Sequence, residues 1–168
     1  MSIIKQTIIL SFLVISFTSL NAQEIKKIGK FKDWETIVVI NETAKLCFAQ
    51  SKPVLQSPKN NAREARLFIS FRPTEKITDE VSITSGYEYN IQNTILAKSG
   101  KNKIKFDISK DNFAWITNNK VEKKMIGVMK KGSRIMITGY NKSGSQTIDH
   151  YSLMGFTKAY NSAKKNCS

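Results

Sequence analysis

"TIDHYSLMGF", residues 147–156, sets an acid, the only histidine of the chain, a tyrosine and a serine side by side. In the order of the text, Asp149, His150 and Ser152 look like parts of a hydrolase. On a β-strand they are not, because successive side chains point to opposite faces. Asp149 and His150 then look away from each other. His150 and Ser152 share a face about 6.5–7 Å apart, too far for the direct contact of roughly 3 Å between a nucleophile and its base. Tyr151 joins Asp149 and Leu153 on the other face. The flanks favour a strand, since "RIMITGY" and "TIDHYSL" enclose "NKSGS", a Gly-containing loop of hairpin length. No GxSxG elbow, HExxH pair or phosphate-binding loop occurs in the chain. No catalytic residue is therefore expected, and a weak hydrolase using His150 is the alternative to be tested.

The same alternation recurs along the chain. "DWETIVVI" places Trp34, Thr36 and Val38 on one face, and "KLCFAQ" separates Leu46 and Phe48 from Cys47 and Ala49. "ARLFISF" offers Leu67, Ile69 and Phe71 opposite Arg66, Phe68 and Ser70, a pattern that predicts cover on both faces. "DEVSITS", "NTILAKSG", "KIKFDIS" and "NFAWIT" follow, divided by Gly, Asn and Ser turns. Trp34 and Trp115 both fall on apolar strand faces and are expected in the core. Two segments change period. "NNKVEKKMIGVMKKG" sets Val121, Met125, Val128 and Met129 at helical spacing, with Asn118 or Asn119 as N-cap and Gly132 as the stop. Gly127 weakens that helix by roughly 1 kcal/mol relative to Ala, so a short one is expected. "FTKAYNSAKKNC" sets Phe156, Ala159, Tyr160 and Ala163 on one stripe, with Lys164 and Lys165 where a helix dipole favours cations. About nine strands and two short helices, one of them C-terminal, predict a mainly β fold: an antiparallel β-sandwich or a curved sheet.

The first residues predict where the protein works. Lys5 precedes an apolar run from Thr7 to Leu20, and the small residue Ala22 follows. This is the layout of a secretory signal peptide, residues 1–22, cleaved after Ala22. The run is about 14 residues, short of the roughly 20 that a spanning helix needs. No cysteine follows it and no arginine pair precedes it, so the general secretory route to the periplasm or beyond is expected. Residues 23–168 then form a single domain with no later transmembrane segment.

Cys47 and Cys167 are the only cysteines. An even pair in an oxidising compartment predicts a disulfide, which would pin the last helix to an early strand. With one His and no CxxC, metal and cofactor sites are not expected. The formal charge of +14 falls to +13 without Lys5. It does not predict a nucleic-acid partner: export removes the protein from the cell's own DNA and RNA, and only Arg63, Arg66, Arg72 and Arg134 are arginines. An attraction to anionic lipid, lipopolysaccharide or acidic glycan surfaces is what such a charge allows. Asp107 and Asp111 read as solvated acids at a strand-end turn. "FRPTEKITDEVSI" reads as a Pro-directed bend and a charged approach to the next strand, with a recognition surface as the other possibility.

Taken in order, "DWETIVV", "CFAQ", "FRP", "EVSITSGY", "FAWI", "MIGVMKKGSRIMITGYNKSG" and "TIDHYSLMGFTKAY" with the terminal Cys167 resemble the invasion-associated locus B family of exported proteins from Gram-negative alphaproteobacteria. The resemblance covers nearly all of residues 23–168. It implies a single periplasmic or envelope-associated domain and transfers no catalytic residue. It also implies that family members carry further cysteines near the first strand, where this chain has Val38 and Val39. The expectation is a non-enzymatic interaction or binding module with an envelope or protein partner.

Overall fold

Apolar alternation in this chain becomes two antiparallel sheets with two helices. The computed structural model describes residues 23–168, and the expected signal peptide lies outside them. In chain order the elements are β1 (Glu24–Phe31), β2 (Trp34–Ile40), β3 (Lys45–Ser51), β4 (Leu55–Ser57), β5 (Arg66–Arg72), β6 (Ile77–Thr84), β7 (Ile95–Ser99), β8 (Asn102–Phe106), β9 (Ile108–Lys110), β10 (Phe113–Trp115), α1 (Asn119–Lys131), β11 (Arg134–Tyr140), β12 (Gln146–Ser152) and α2 (Phe156–Asn166). Sheet I runs β1-β2-β3-β5-β6-β10-β9, and sheet II runs β4-β12-β11-β7-β8. The mainly β class and the C-terminal helix agree with the sequence.

Three strands escaped the alternation. β1 is an edge strand exposed on both faces over most of its length, so it has no apolar period to show. β4 has three residues. "KIKFDIS" divides at Asp107 into β8 and β9, which belong to different sheets.

One core fills the space between the layers. Leu67, Ile69, Val81, Ile83 and Ala114 from sheet I meet Ile95, Ala97, Ile135, Ile137 and Tyr151 from sheet II, all buried. α2 covers the β2–β3 end of the same face of sheet I. Phe156 packs edge-on against Trp34 at 4.8 Å, Tyr160 against Phe71 at 5.6 Å, and Thr36 donates its hydroxyl to the Ala159 carbonyl at 3.0 Å. The stripe Phe156, Ala159, Tyr160 and Ala163 is buried as the spacing requires. Gly155 joins β12 to α2 at φ +92°, where a Cβ would stand 1.7 Å from the Phe31 carbonyl oxygen. Only glycine allows that approach. Cys167, at the end of α2, is disulfide-bonded to Cys47 on β3.

α1 is capped by Asn118, whose side chain accepts from the Lys120 and Val121 amides, and ends at Gly132. It runs for 13 residues despite Gly127, because Met125, Ile126 and Met129 are buried. Tertiary burial outweighs about 1 kcal/mol of propensity. Its buried stripe is rotated from the expected one. Glu122 is in and Val121 and Val128 are only half-buried.

Candidate functional site

β12 answers the question raised by its own sequence. Thr147, Asp149 and Tyr151 point inward and are buried, whereas Ile148, His150 and Ser152 lie on the outer face of sheet II. His150 stands in register between Leu55 of β4 and Met136 of β11, with no carboxylate beside it. Asp149 is 1% exposed and is held by Arg63 in a two-pronged pair: Nη2 to Oδ1 at 2.7 Å and Nη1 to Oδ2 at 3.0 Å. Gln56 Nε2 adds a bond to Oδ1 at 3.2 Å. Arg63 also donates to the Ser85 carbonyl at 3.0 Å, and its guanidinium carbon lies 5.6 Å from the centre of the Tyr87 ring. Tyr87 and Thr147 share a hydrogen bond of 2.6 Å, and Tyr89 donates to Ser85 at 2.9 Å. Burial pushes the phenols of Tyr87, Tyr89 and Tyr151 up, so all three stay neutral. The polar interior is a bonded network with its acid committed to an arginine.

Arg63 is the residue that sequence reasoning missed. The signal was present in Asp149 itself: a carboxylate on the apolar face of a strand requires a buried cation to offset its desolvation. Which of the basic residues supplies it is not legible, because Arg63 sits in the irregular segment between β4 and β5.

Outside the core, sheet I differs from the expectation. Phe48, Phe68, Phe113 and Trp115 lie on the face opposite α2 and sheet II, and all four stay partly exposed. Their rings form a row, with centroids 5.8 Å apart for Phe48–Phe68, 6.1 Å for Phe68–Phe113 and 5.8 Å for Phe113–Trp115. The double cover expected for "ARLFISF" is therefore corrected, and so is the core position of Trp115. Both helices pack on the inner face or at its end, so the second apolar face finds no layer. Ile108, in register with Trp115, is 50% exposed.

At the end of this row a cleft of about 580 Å³ opens beside Trp115. Arg72 forms one wall, bonded to both oxygens of Glu80 at 2.8 and 2.7 Å and to Glu75 at 3.0 Å. Hydrogen bonds donated to Glu80, reinforced by its charge, hold the guanidinium still more firmly protonated. The bend after "FRP" is present as a single 3-10 turn, Pro73–Glu75. Glu122 of α1 reaches the cleft and accepts the Val81 amide at 2.9 Å, where β10 no longer pairs with β6. Burial raises its pKa, and the nearby Glu80, Asp79 and Asp107 carboxylates add to the rise. Asp107 accepts the amide and hydroxyl of Thr117. Asp111 is exposed in a turn at φ +54°. Among the described residues, no three His, Cys, Asp or Glu side chains are grouped to hold a metal ion. Among the described residues, no helix is long and apolar enough to cross a membrane.

No curated protein and no solved structure matches the chain. The family model described as "Invasion associated locus B (IalB) protein" matches residues 34–164, from the first buried tryptophan to the last turn of α2. That span holds both sheets except β1, both helices, the Arg63–Asp149 pair and the aromatic row. The chain belongs to the invasion-associated locus B family, a family not known for enzymes and one that points to the cell envelope.

Proposed function

We propose that the protein is an exported, non-enzymatic binding module of the cell envelope, formed by residues 23–168 after removal of the leader, and that it works through the outer face of sheet I. The observation that carries this reading is the row Phe48, Phe68, Phe113 and Trp115, left partly exposed on a seven-stranded sheet. Water-exposed aromatic rows of this kind mark contact surfaces. Family membership supports the location, and the commitment of Asp149 to Arg63 argues against chemistry at His150. The occupant is an envelope protein with an apolar surface of its own. A second copy is disfavoured, since it would bring two strongly cationic molecules together.

A photo-crosslinking residue in place of Phe113 tests this in cells. The expected result is an adduct with an envelope protein from position 113 and none from Lys158, on the exposed side of α2. Equal labelling from both positions, or none from 113, would overturn it.

A second reading has its own observation. Residues 98–134 hold eleven Lys and Arg against three Asp and Glu. Adhesion to anionic lipid through this region predicts vesicle binding that falls steeply as salt rises. Binding that ignores salt removes the reading.

A further inference from the structure

The cleft beside Trp115 is built from unusual parts for a surface depression. Its volume, about 580 Å³, lies in the range of about 300–1,000 Å³ typical of small-molecule sites. Trp115 is braced by Phe113, whose ring is inclined to it by only 27°. Among the described residues nothing accepts its indole N–H. The same cleft is lined by Arg72 and Glu80, locked in a planar two-bond pair, and by the free side-chain amide of Asn119. The chain behind them, from the 3-10 turn into the start of β6, follows an uncommon backbone path. Lys76 and Asp79 are left-handed at φ +56° and +64°, which non-glycine residues rarely adopt. Lys76 donates its amide to Pro73, and Asp79 accepts the Tyr160 hydroxyl at 2.6 Å. Two such residues so close together persist because the surrounding structure over-determines the backbone there.

Charge decides the ligand class. The cleft is lined by two cations, Arg72 and Lys76, and two carboxyl groups, Glu80 and Glu122. It is balanced, on a protein that is strongly basic elsewhere. The Glu80 and Glu122 carboxyl groups disfavour a phosphate or an acidic glycan here, and the Arg72 and Lys76 charges disfavour a cation. A neutral, polyhydroxylated ring suits all the parts. Its hydroxyls donate to Glu80 and accept from Arg72, Asn119 and the indole N–H. Its C–H face, weakly positive, lies on the negative face of an aromatic ring.

We infer that this cleft binds a neutral saccharide, with Trp115 as the stacking platform and the Arg72–Glu80 pair and Asn119 as the hydroxyl-reading groups. The inference rests on the outer face of sheet I being the working surface, and it adds a ligand to that face.

The test is 15N NMR of the mature protein titrated with cellotetraose and with chitotetraose. Its two indole N–H signals separate the readouts. Trp34 donates to the Ser152 carbonyl at 2.8 Å inside the core and serves as the internal control for folding. One or both sugars should move the Trp115 signal and leave that of Trp34 in place. Trp115→Ala should weaken binding at least tenfold, with Trp115→Phe in between. Inorganic phosphate should not compete. Failure of both sugars to move Trp115, wild-type binding by Trp115→Ala with the Trp34 signal intact, or competition by phosphate would each overturn the site. Crosslinking from position 113 would survive that failure, so the envelope-binding reading and the saccharide site fall separately.

Discussion

Removing the Asp149 carboxylate is the most informative single change. Asp149→Ala leaves the Arg63 guanidinium buried, 5% exposed, with its principal partner gone. Breaking a buried ion pair from one side costs about 3–5 kcal/mol, most of it from the uncompensated charge that remains. Arg63 keeps its bonds to the Ser85 and Ser57 carbonyls and its place over the Tyr87 ring, which sets the expected loss at the lower end, about 3 kcal/mol. At roughly 3–4 °C per kcal/mol for a domain of this size, the melting temperature should fall by about 10 °C. Urea unfolding with the disulfide intact, followed by the fluorescence of buried Trp34, measures it. The double variant Arg63→Met/Asp149→Leu removes both charges and should recover at least about 2 kcal/mol of the loss, because apolar replacement of a buried pair is often near neutral. An Asp149→Ala variant within about 0.5 kcal/mol of wild type, or a double variant that loses the sum of the singles, would refute the assignment of Asp149 to the scaffold.

His150→Ala should leave stability within about 0.5 kcal/mol, as for other outer-face substitutions, and any hydrolytic activity of the purified protein unchanged; a large loss of activity in a folded variant would restore the enzyme reading. Replacing Cys47 and Cys167 together by Ala should cost about 5 kcal/mol in the chain-entropy model, given a sequence separation of 120, and the same urea midpoints read the cost. For Glu122 the folded pKa lies above its ordinary value of 4.5, so the protonated carboxyl is the form favoured by folding. Its contribution is full at low pH and is lost as pH rises through the folded value. Glu122→Gln keeps an acceptor for the Val81 amide without the charge, so its stability relative to wild type should grow from pH 4 to pH 7 in urea midpoints; a constant difference contradicts this. Gly155→Ala should prevent α2 from docking and lower soluble yield, since its Cβ overlaps the Phe31 carbonyl.

The parts of the fold legible in the sequence were those where burial has a period. Nine strands and the α2 stripe follow from one-sided contact, and the α1 cap, read as Asn118 or Asn119 and found at Asn118, follows from hydrogen bonding at a helix start. β1 was silent because an edge strand exposed on both sides has nothing to alternate. Phe68 and Trp115 misled for the opposite reason. An aromatic residue on a strand face signals a surface that avoids water, and sequence does not say whether the cover is the protein's own or a partner's. The candidate site was half legible on the same grounds. The separation of Asp149 from His150 follows from strand geometry, whereas Arg63 and Glu122 are brought to their partners by loop and helix placements that no local pattern encodes. Glu122 in particular stands at a helical position where an apolar residue is the ordinary choice, and it is buried because β6 presents an unpaired amide there.

Carbene footprinting of the purified protein, with and without the solubilised envelope fraction, measures the central claim directly. Labelling of Phe48, Phe68, Phe113 and Trp115 should fall when the envelope fraction is added, while His150 and Met136 on the outer face of sheet II keep their labelling. Protection centred on His150 and Met136, with the aromatic row unchanged, would contradict the account.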